Sequence, residues 1–115
     1  MARYLGYFVI LVPVERVRQP IFEVLHSCNF DTIYDSGDCI MAKELPGKVA
    51  ASKLVTLELL VTQNVGKEDE IKLNMVAKND ELPLQVNNHC REMFDLVSKS
   101  IQNNRKWELL DSVAV

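Results

Sequence analysis

The sequence predicts an α+β fold in which a curved antiparallel sheet of five strands carries two helices on one face, in the order β-α-β-β-β-β-α. Three observations predict it: the apolar spacing changes from strand-like to helical after residue 13, extended runs come in hairpin pairs, and an amphipathic stripe follows them. The tail at residues 106–115 is a candidate sixth strand. Residues 1–115 are expected to form a single domain, because this length is ordinary for one.

The first strand is followed by a helix. Residues 3–12, RYLGYFVILV, are almost continuously apolar, which predicts a strand covered on both faces. From Val14 the apolar residues recur at helical spacing as far as Cys28. Pro20 falls inside this pattern, so the helix either kinks there or begins near Gln19 with the proline in its first turn.

Two hairpins supply the next four strands. The runs 30–34 and 39–44 flank the sequence DSGD, in which Gly37 can adopt the positive φ of a tight turn. The runs 53–63 and 70–78 alternate apolar and polar residues, with the sequence NVGKED as the loop between them. Such alternation is typical of antiparallel strands with one solvated face.

An amphipathic stripe predicts the last helix after the connector NDELPLQVNN. Its apolar members are Cys90, Met93, Phe94, Val97 and Ile101. Asn87 or Asn88 can cap the N-terminus of this helix, because an asparagine side chain accepts hydrogen bonds from first-turn amides.

In element order alone the chain resembles the TATA-binding-protein-like and helix-grip classes of α+β folds. Both classes wrap an antiparallel sheet around helices. They include DNA-binding saddles, ligand carriers and catalysts. The resemblance therefore implies an architecture and no particular activity.

Composition excludes several classes of function. The chain is 48% hydrophobic and 25% charged, with 13 Lys and Arg against 16 Asp and Glu and a net charge of −3. An acidic balance argues against charge-driven binding to nucleic acid or an anionic membrane, although Lys43, Lys48 and Lys53 could form a local basic patch. The apolar N-terminal run is shorter than the roughly 20 residues that span a bilayer. No glycine-rich phosphate-binding motif is present.

The cysteines point to a reducing compartment. Cys28, Cys39 and Cys90 are odd in number and too few for a disulfide framework. We expect them to be free thiols in a cytoplasmic protein.

Each of the two histidines has a cysteine beside it, as His26 with Cys28 and His89 with Cys90. Zinc ligands within a pair usually lie two to four residues apart, whereas adjacent residues on a helix point about 100° apart. Near a helix N-terminus the pKa of the Cys90 thiol would be lowered, which makes Cys90, His89 and His26 candidate catalytic residues. No orienting third residue or oxyanion turn accompanies them. We expect no metal and no cofactor.

Apolar residues on the second sheet face predict an interface. If both helices cover one face, then Leu54, Leu60, Val76 and Ile40 are left on the other. The tail, a second copy of the chain or another protein must cover them. The candidate interface residues are Leu54, Leu60, Val76, Trp107, Leu109 and Leu110.

A small apolar ligand could lie between the sheet and the last helix, although a filled core is the competing expectation. The candidate ligand-binding residues are Leu57, Leu59, Leu73, Met75, Met93, Phe94 and Val97.

The favoured hypothesis is a small soluble, non-enzymatic binding or accessory protein that forms a homodimer or binds a protein partner. We expect it not to bind a membrane. A thiol- or metal-dependent enzyme built on the two histidine–cysteine pairs is the alternative. A nucleic-acid accessory protein is a third hypothesis, which the acidic balance disfavours.

Overall fold

The computed structural model describes residues 1–63, 66–67, 69–82 and 88–114. The described strands form one antiparallel sheet in the order β2-β3-β4-β5-β1-β6, with two α-helices. The α+β prediction is therefore confirmed, with the tail as the sixth strand. The elements are β1 (Ala2–Leu11), α1 (Arg18–Ser27), β2 (Phe30–Asp35), β3 (Cys39–Glu44), β4 (Thr56–Gln63), β5 (Glu70–Asn79), α2 (His89–Gln102) and β6 (Glu108–Ala114).

The core lies between one face of this sheet and both helices. Every second residue of the central strands is buried, because successive strand residues point to opposite faces. The buried series in β4 and β5 are those predicted from alternation. They are Leu57, Leu59 and Val61 in β4 and Ile71, Leu73, Met75 and Ala77 in β5. Residues of α1 and α2 line the same small interior space as Leu59 and Leu73, which places both helices on one face.

Helix α1 begins late enough to accommodate its proline. Val14–Arg16 form a separate 3-10 turn, and Pro20 is the third residue of the α-helix. A proline in the first turn loses no intrahelical hydrogen bond, because its amide position would have had no partner there. Of the two predicted alternatives, a helix starting near Gln19 is the one observed.

The hairpin between β2 and β3 depends on Gly37, which has φ of +100°. The carboxylate of Asp35 accepts a hydrogen bond from the Gly37 amide at 3.0 Å and forms an ion pair with Arg18 on α1. Arg18 also donates to the Gly37 carbonyl at 2.6 Å. The turn is thereby tied to the first helix.

The tail pairs with β1 in the plane of the sheet. Gly6 faces Ala114 at one end of the ladder and Leu11 faces Glu108 at the other. The register shifts between Val9 and Ile10, which leaves Leu110 as the extra residue of a β-bulge. The tail therefore widens the sheet and does not cross over either face.

Two strand predictions need correction. The expected strand 53–63 begins only at Thr56, because the backbone turns into a 3-10 segment at Ala51–Lys53 and the Val55 amide binds a side chain, that of Glu44. The first strand, expected to be covered on both faces, is covered on only one face in the single chain. Tyr7 and Leu11 on its second face are 41% and 42% exposed, because both helices pack on the opposite side.

Some predicted features fall partly outside the described residues. These are the loop NVGKED, in which residues 64, 65 and 68 are not described, and the connector, of which 83–87 are not described. Asn87 belongs to that gap, whereas Asn88 is the observed cap and accepts from the Arg91 amide at 3.1 Å. Within the described ranges, neither helix is long and apolar enough to span a membrane.

Truncating the core should destabilise the fold far more than the same change at the surface. We expect Leu73→Ala to lower the free energy of unfolding by about 2–5 kcal/mol, because Leu73 is fully buried between the sheet and both helices. Leu45→Ala, in an exposed loop, should change it by about 0.5 kcal/mol or less. Urea denaturation measures both, and equal losses would contradict the packing described here.

Candidate functional site

The residues of the second histidine–cysteine pair point in different directions. Cys90 is fully buried and lies 4.0 Å from the Ala2 carbonyl oxygen. His89 is partly buried, with Nε2 2.9 Å from both carboxylate oxygens of Glu44. An ionised carboxylate only accepts, so Nε2–H donates to Glu44. The helix therefore directs the thiol into the core and the imidazole toward β3.

The first pair lies elsewhere. Cys28 is the buried C-cap of α1, and its sulfur is 3.4 Å from the Ser100 hydroxyl on α2, while His26 is exposed. Ser100 follows His89 by eleven residues, which is about 16 Å along the helix axis at 1.5 Å per residue. The two pairs therefore do not converge on one site.

The environment of Cys90 opposes a nucleophilic role for its thiol. Burial, followed by the negative charges of Glu81 and Glu44, raises the pKa of its thiol to about 12. A thiol with this pKa is protonated at neutral pH, whereas nucleophilic attack requires the thiolate. In the described part of the chain no group of three or more His, Cys, Asp or Glu residues is arranged to hold a metal ion.

The N-terminus of α2 is held by a buried carboxylate. Glu81 accepts hydrogen bonds from the backbone amides of His89 and Cys90, at 3.2 and 2.9 Å, and from the Asn79 side chain at 2.5 Å. Asn79 also donates to the Lys53 carbonyl at 3.0 Å. First-turn amides have no partner within their own helix, so Glu81 satisfies two of the four. We call Glu44, Asn79, Glu81 and His89 the capping cluster.

Glu44 connects the capping cluster to the sheet. Its side chain is 2% exposed, and Oε1 accepts from the Val55 amide at 3.1 Å as well as from His89. A buried carboxylate needs such partners, because an unpaired buried charge is strongly unfavourable. The alternation of β3 carries a signal for this residue, since Ile40, Ala42 and Glu44 share its buried face.

The pKa of Glu81 reflects competing effects. Burial is the largest single effect and disfavours the charged form. The hydrogen bonds from Asn79, Cys90 and His89, together with the positive charge of Lys53, favour the charged form and outweigh burial. The net effect holds the pKa below the usual value of 4.5 for a glutamate. The carboxylate is therefore ionised at neutral pH, in the form that accepts from the helix.

The predicted ligand-binding residues form a filled core. Leu57, Leu59, Leu73, Met75, Met93, Phe94 and Val97 are all buried members of one hydrophobic cluster. The space that Leu59, Leu73 and Val97 line with both helices measures about 10 Å³. On this measure a cavity needs about 10–15 Å³ to hold a single water, so this space has no room for an organic ligand.

The sheet face opposite the helices, which we call the outer face, carries two adjacent apolar rows across the strands. The cross-strand pairings define them. One row contains Tyr34, Met41, Glu58, Val76 and Leu5, and the next contains Cys39, Leu60, Asn74, Tyr7 and Val113. Leu60 is 42% exposed and Val113 52% exposed, so these side chains meet solvent in the single chain.

Rows of opposite charge flank the apolar rows. Arg3 pairs with Lys78, Thr56 separates Lys78 from Lys43, and Asp31 lies at the end beside Lys43. We call this the basic row. Glu70 and Glu108 flank Leu11 at the other end and form the acidic row. Lys78 also pairs with Glu58 at 2.7 Å. A further row, of Thr62, Lys72, Val9 and Asp111, lies between the apolar rows and the acidic row. Glu70 pairs with Lys67 at 3.2 Å. The outer face thus has its apolar rows flanked by a basic row at one end, and by a mixed row and then an acidic row at the other.

The predicted interface residues divide between the outer face and the core. Leu60 and Val76 lie on the outer face, and Leu110 is exposed at the bulge. Leu54 and Leu109 are partly buried. Trp107 belongs to the chain's own core and donates its indole N–H to the Ile101 carbonyl at 2.9 Å. Ile40, which was also expected on this face, is fully buried on the opposite one.

No protein-family model matches the chain, and no curated protein matches it significantly.

The Glu81 carboxylate should contribute a pH-dependent part of the stability. A folded-state pKa below the unfolded value means that this contribution is present above about pH 4.5 and is lost as pH falls through the folded pKa. We expect Glu81→Gln to lower the melting temperature at pH 7, with a deficit that narrows below pH 4.5. Thermal melts from pH 3 to 7 measure it.

Glu15→Gln, at an exposed position in the turn Val14–Arg16, is the control and should change the melting temperature little. A Glu81→Gln deficit that stays constant from pH 7 to pH 3 would contradict the assigned role of the carboxylate.

Proposed function

We propose that this protein is a non-enzymatic binding or accessory protein that acts by protein–protein association and forms a homodimer through the outer face. The observation that carries the proposal is the pair of exposed apolar rows between a basic and an acidic row. Contiguous exposed apolar surface with a polar rim is typical of interaction sites.

The position of the tail strengthens the need for a partner. A tail folded across the outer face would have covered Leu60 and Tyr7, but β6 pairs with the edge of β1 and adds Val113 to the same surface. The exposed apolar area is larger as a result. No other segment among the described residues lies over this area, and a second polypeptide would cover it.

Charge complementarity favours a second copy as that polypeptide. A two-fold axis that lies between two stacked outer faces and runs across the strands reverses the strand direction of the second copy. The basic row of each copy then faces the acidic row of the other, and the row of Leu60 and Tyr7 faces itself. A two-fold axis parallel to the strands would instead place the basic row of one copy against the basic row of the other, and the two acidic rows against each other.

The size of the outer face suits a stable dimer. Six strands at about 4.8 Å spacing span about 24 Å, and the eight steps from Arg3 to Leu11 span about 27 Å at 3.4 Å each. The face therefore measures up to about 650 Å² per copy. Two copies would bury up to about 1,300 Å², which reaches the range of specific interfaces.

The other hypotheses have less support. A thiol- or metal-dependent enzyme would need Cys90 as a thiolate and a cluster of ligands, whereas this thiol is buried with a raised pKa and the histidine–cysteine pairs lie apart. A cytoplasmic location fits the proposal, because Cys28, Cys39 and Cys90 are all free thiols and a reducing compartment keeps them so.

Placing a charge in the centre of the outer face should dissociate the dimer. We expect the wild-type protein to sediment as a dimer at micromolar concentration and Leu60→Asp to sediment as a monomer, because pairing would bury an uncompensated carboxylate. Sedimentation velocity measures this directly. Leu45→Asp is the matched control, since Leu45 has almost the same exposure, 41%, but lies in a loop.

A monomeric wild-type protein would contradict the homodimer. A Leu60→Asp protein that remains dimeric would also contradict it and would point to pairing through an exposed edge strand, β2 or β6, because such pairing does not involve this face.

A further inference from the structure

Asn74 lies at the centre of the outer face. The rows of this face run from the basic row at one end to the acidic row at the other, and the row of Leu60, Asn74 and Tyr7 lies midway between them. Strand β5, which carries Asn74, has three strands on one side and two on the other. In an interface formed by this face, a central residue is among those most completely removed from water.

The side chain of Asn74 is an unpaired amide between apolar neighbours. Asn74 is half-buried, and its cross-strand neighbours on the outer face are Leu60 and Tyr7. Within the described ranges, no protein group forms a hydrogen bond with its carboxamide. Pairing of two outer faces would exclude solvent from this position, so the amide would then need a partner from the second copy.

The proposed two-fold axis supplies that partner. The axis runs across the strands along the row of Asn74, so each residue of this row faces its own counterpart. A carboxamide has a carbonyl oxygen that accepts and an NH₂ group that donates, so two carboxamides related by a two-fold axis form two reciprocal hydrogen bonds. Two carboxylates or two ammonium groups in the same place would repel each other.

The distance between stacked sheets fits such a pair. Sheets that pack face to face lie about 10 Å apart. The amide end of an asparagine is three covalent bonds from its Cα, which gives a reach of about 3.5 Å. A hydrogen bond between the two amides adds about 2.9 Å. Two side chains that extend toward each other therefore bridge the distance between the sheets.

Other arrangements of the two copies leave the amide unpaired. A two-fold axis parallel to the strands, between β4 and β5, would place Asn74 against Leu60 of the second copy. A shift of the second copy along the strands would separate the two Asn74 side chains. A buried amide without a partner is unfavourable, so Asn74 disfavours both alternatives. A single buried asparagine fixes the register and subunit number of coiled coils in the same way.

We infer that Asn74 pairs with Asn74 of the second copy and thereby selects the orientation and register in which two outer faces meet. The inference rests on the homodimer proposed above and adds the residue that determines its specificity. The apolar rows supply most of the attraction, whereas Asn74 discriminates against wrong arrangements.

Opposite charges at position 74 test this pairing. We expect Asn74→Asp and Asn74→Lys each to dimerise at least about tenfold more weakly than the wild type at neutral pH, because like charges then meet at the axis. In an equimolar mixture unlike charges meet, so a heterodimer should form within about tenfold of the wild-type affinity. Native mass spectrometry separates the three dimers by mass, and circular dichroism reports whether each variant is folded.

Val76→Asp and Val76→Lys, in the adjacent row, are the matched control pair. Val76 and Lys72 lie two residues to either side of Asn74 in β5, so the axis places Val76 against Lys72 of the second copy. Position 76 does not face itself. The heterodimer of these two variants should therefore be no more stable than the mean of the two homodimers.

A monomeric wild-type protein would overturn both the homodimer and this inference. The pairing of Asn74 alone would be overturned, and the homodimer retained, if the wild type is dimeric and both Asn74 variants dimerise by themselves as tightly as it does. The same conclusion would follow if their mixture favours the heterodimer no more than the Val76 control pair does.

Discussion

Packing in this protein depends on one constraint: both helices cover the same face of an antiparallel sheet. Leu59 and Leu73 are buried because α1 and α2 lie over them, and their neighbours Leu60 and Asn74 point the other way. Apolar side chains in β1 and β4 nevertheless continue onto that second face. The one-sided arrangement therefore produces both the filled core and the outer face that we propose to be an interface.

The capping cluster holds α2 in its place over the sheet. Glu81 binds the first amides of the helix, and Glu44 joins His89 to the end of β3 and to Val55. Buried charges of this kind are stabilising only when all their partners are present, so the network specifies one position for the helix.

Elements with a local signal could be predicted from the sequence. The stripe from Cys90 to Ile101, the cap at Asn88 and the turn at Gly37 each follow from residues a few positions apart. The capping cluster could not be predicted in this way, because Glu44 and His89 are 45 residues apart and only the sheet register brings them together. Adjacency in the sequence suggested chemistry for His89 and Cys90, whereas the helix separates their side chains.

The outer face was predicted in part. Alternation in β4 and β5 identifies Leu60 and Val76, but the role of the tail depends on where it pairs. From the sequence alone, the large apolar side chain of Trp107 fits a core or an interface equally well. In the structure it lies in the core, where its indole N–H donates to the Ile101 carbonyl. The two charged rows follow from the register of all six strands, which alternation within one strand does not specify.

The most direct measurement is native mass spectrometry of two charge-reversed proteins, alone and mixed. One carries Arg3→Glu and Lys43→Glu in the basic row, and the other carries Glu70→Lys and Glu108→Lys in the acidic row. Pairing of opposite rows predicts that each protein alone is monomeric and that the mixture forms a heterodimer, because only then do unlike charges face each other. Two proteins that each dimerise alone, or a mixture that stays monomeric, would contradict pairing of the two outer faces in this orientation.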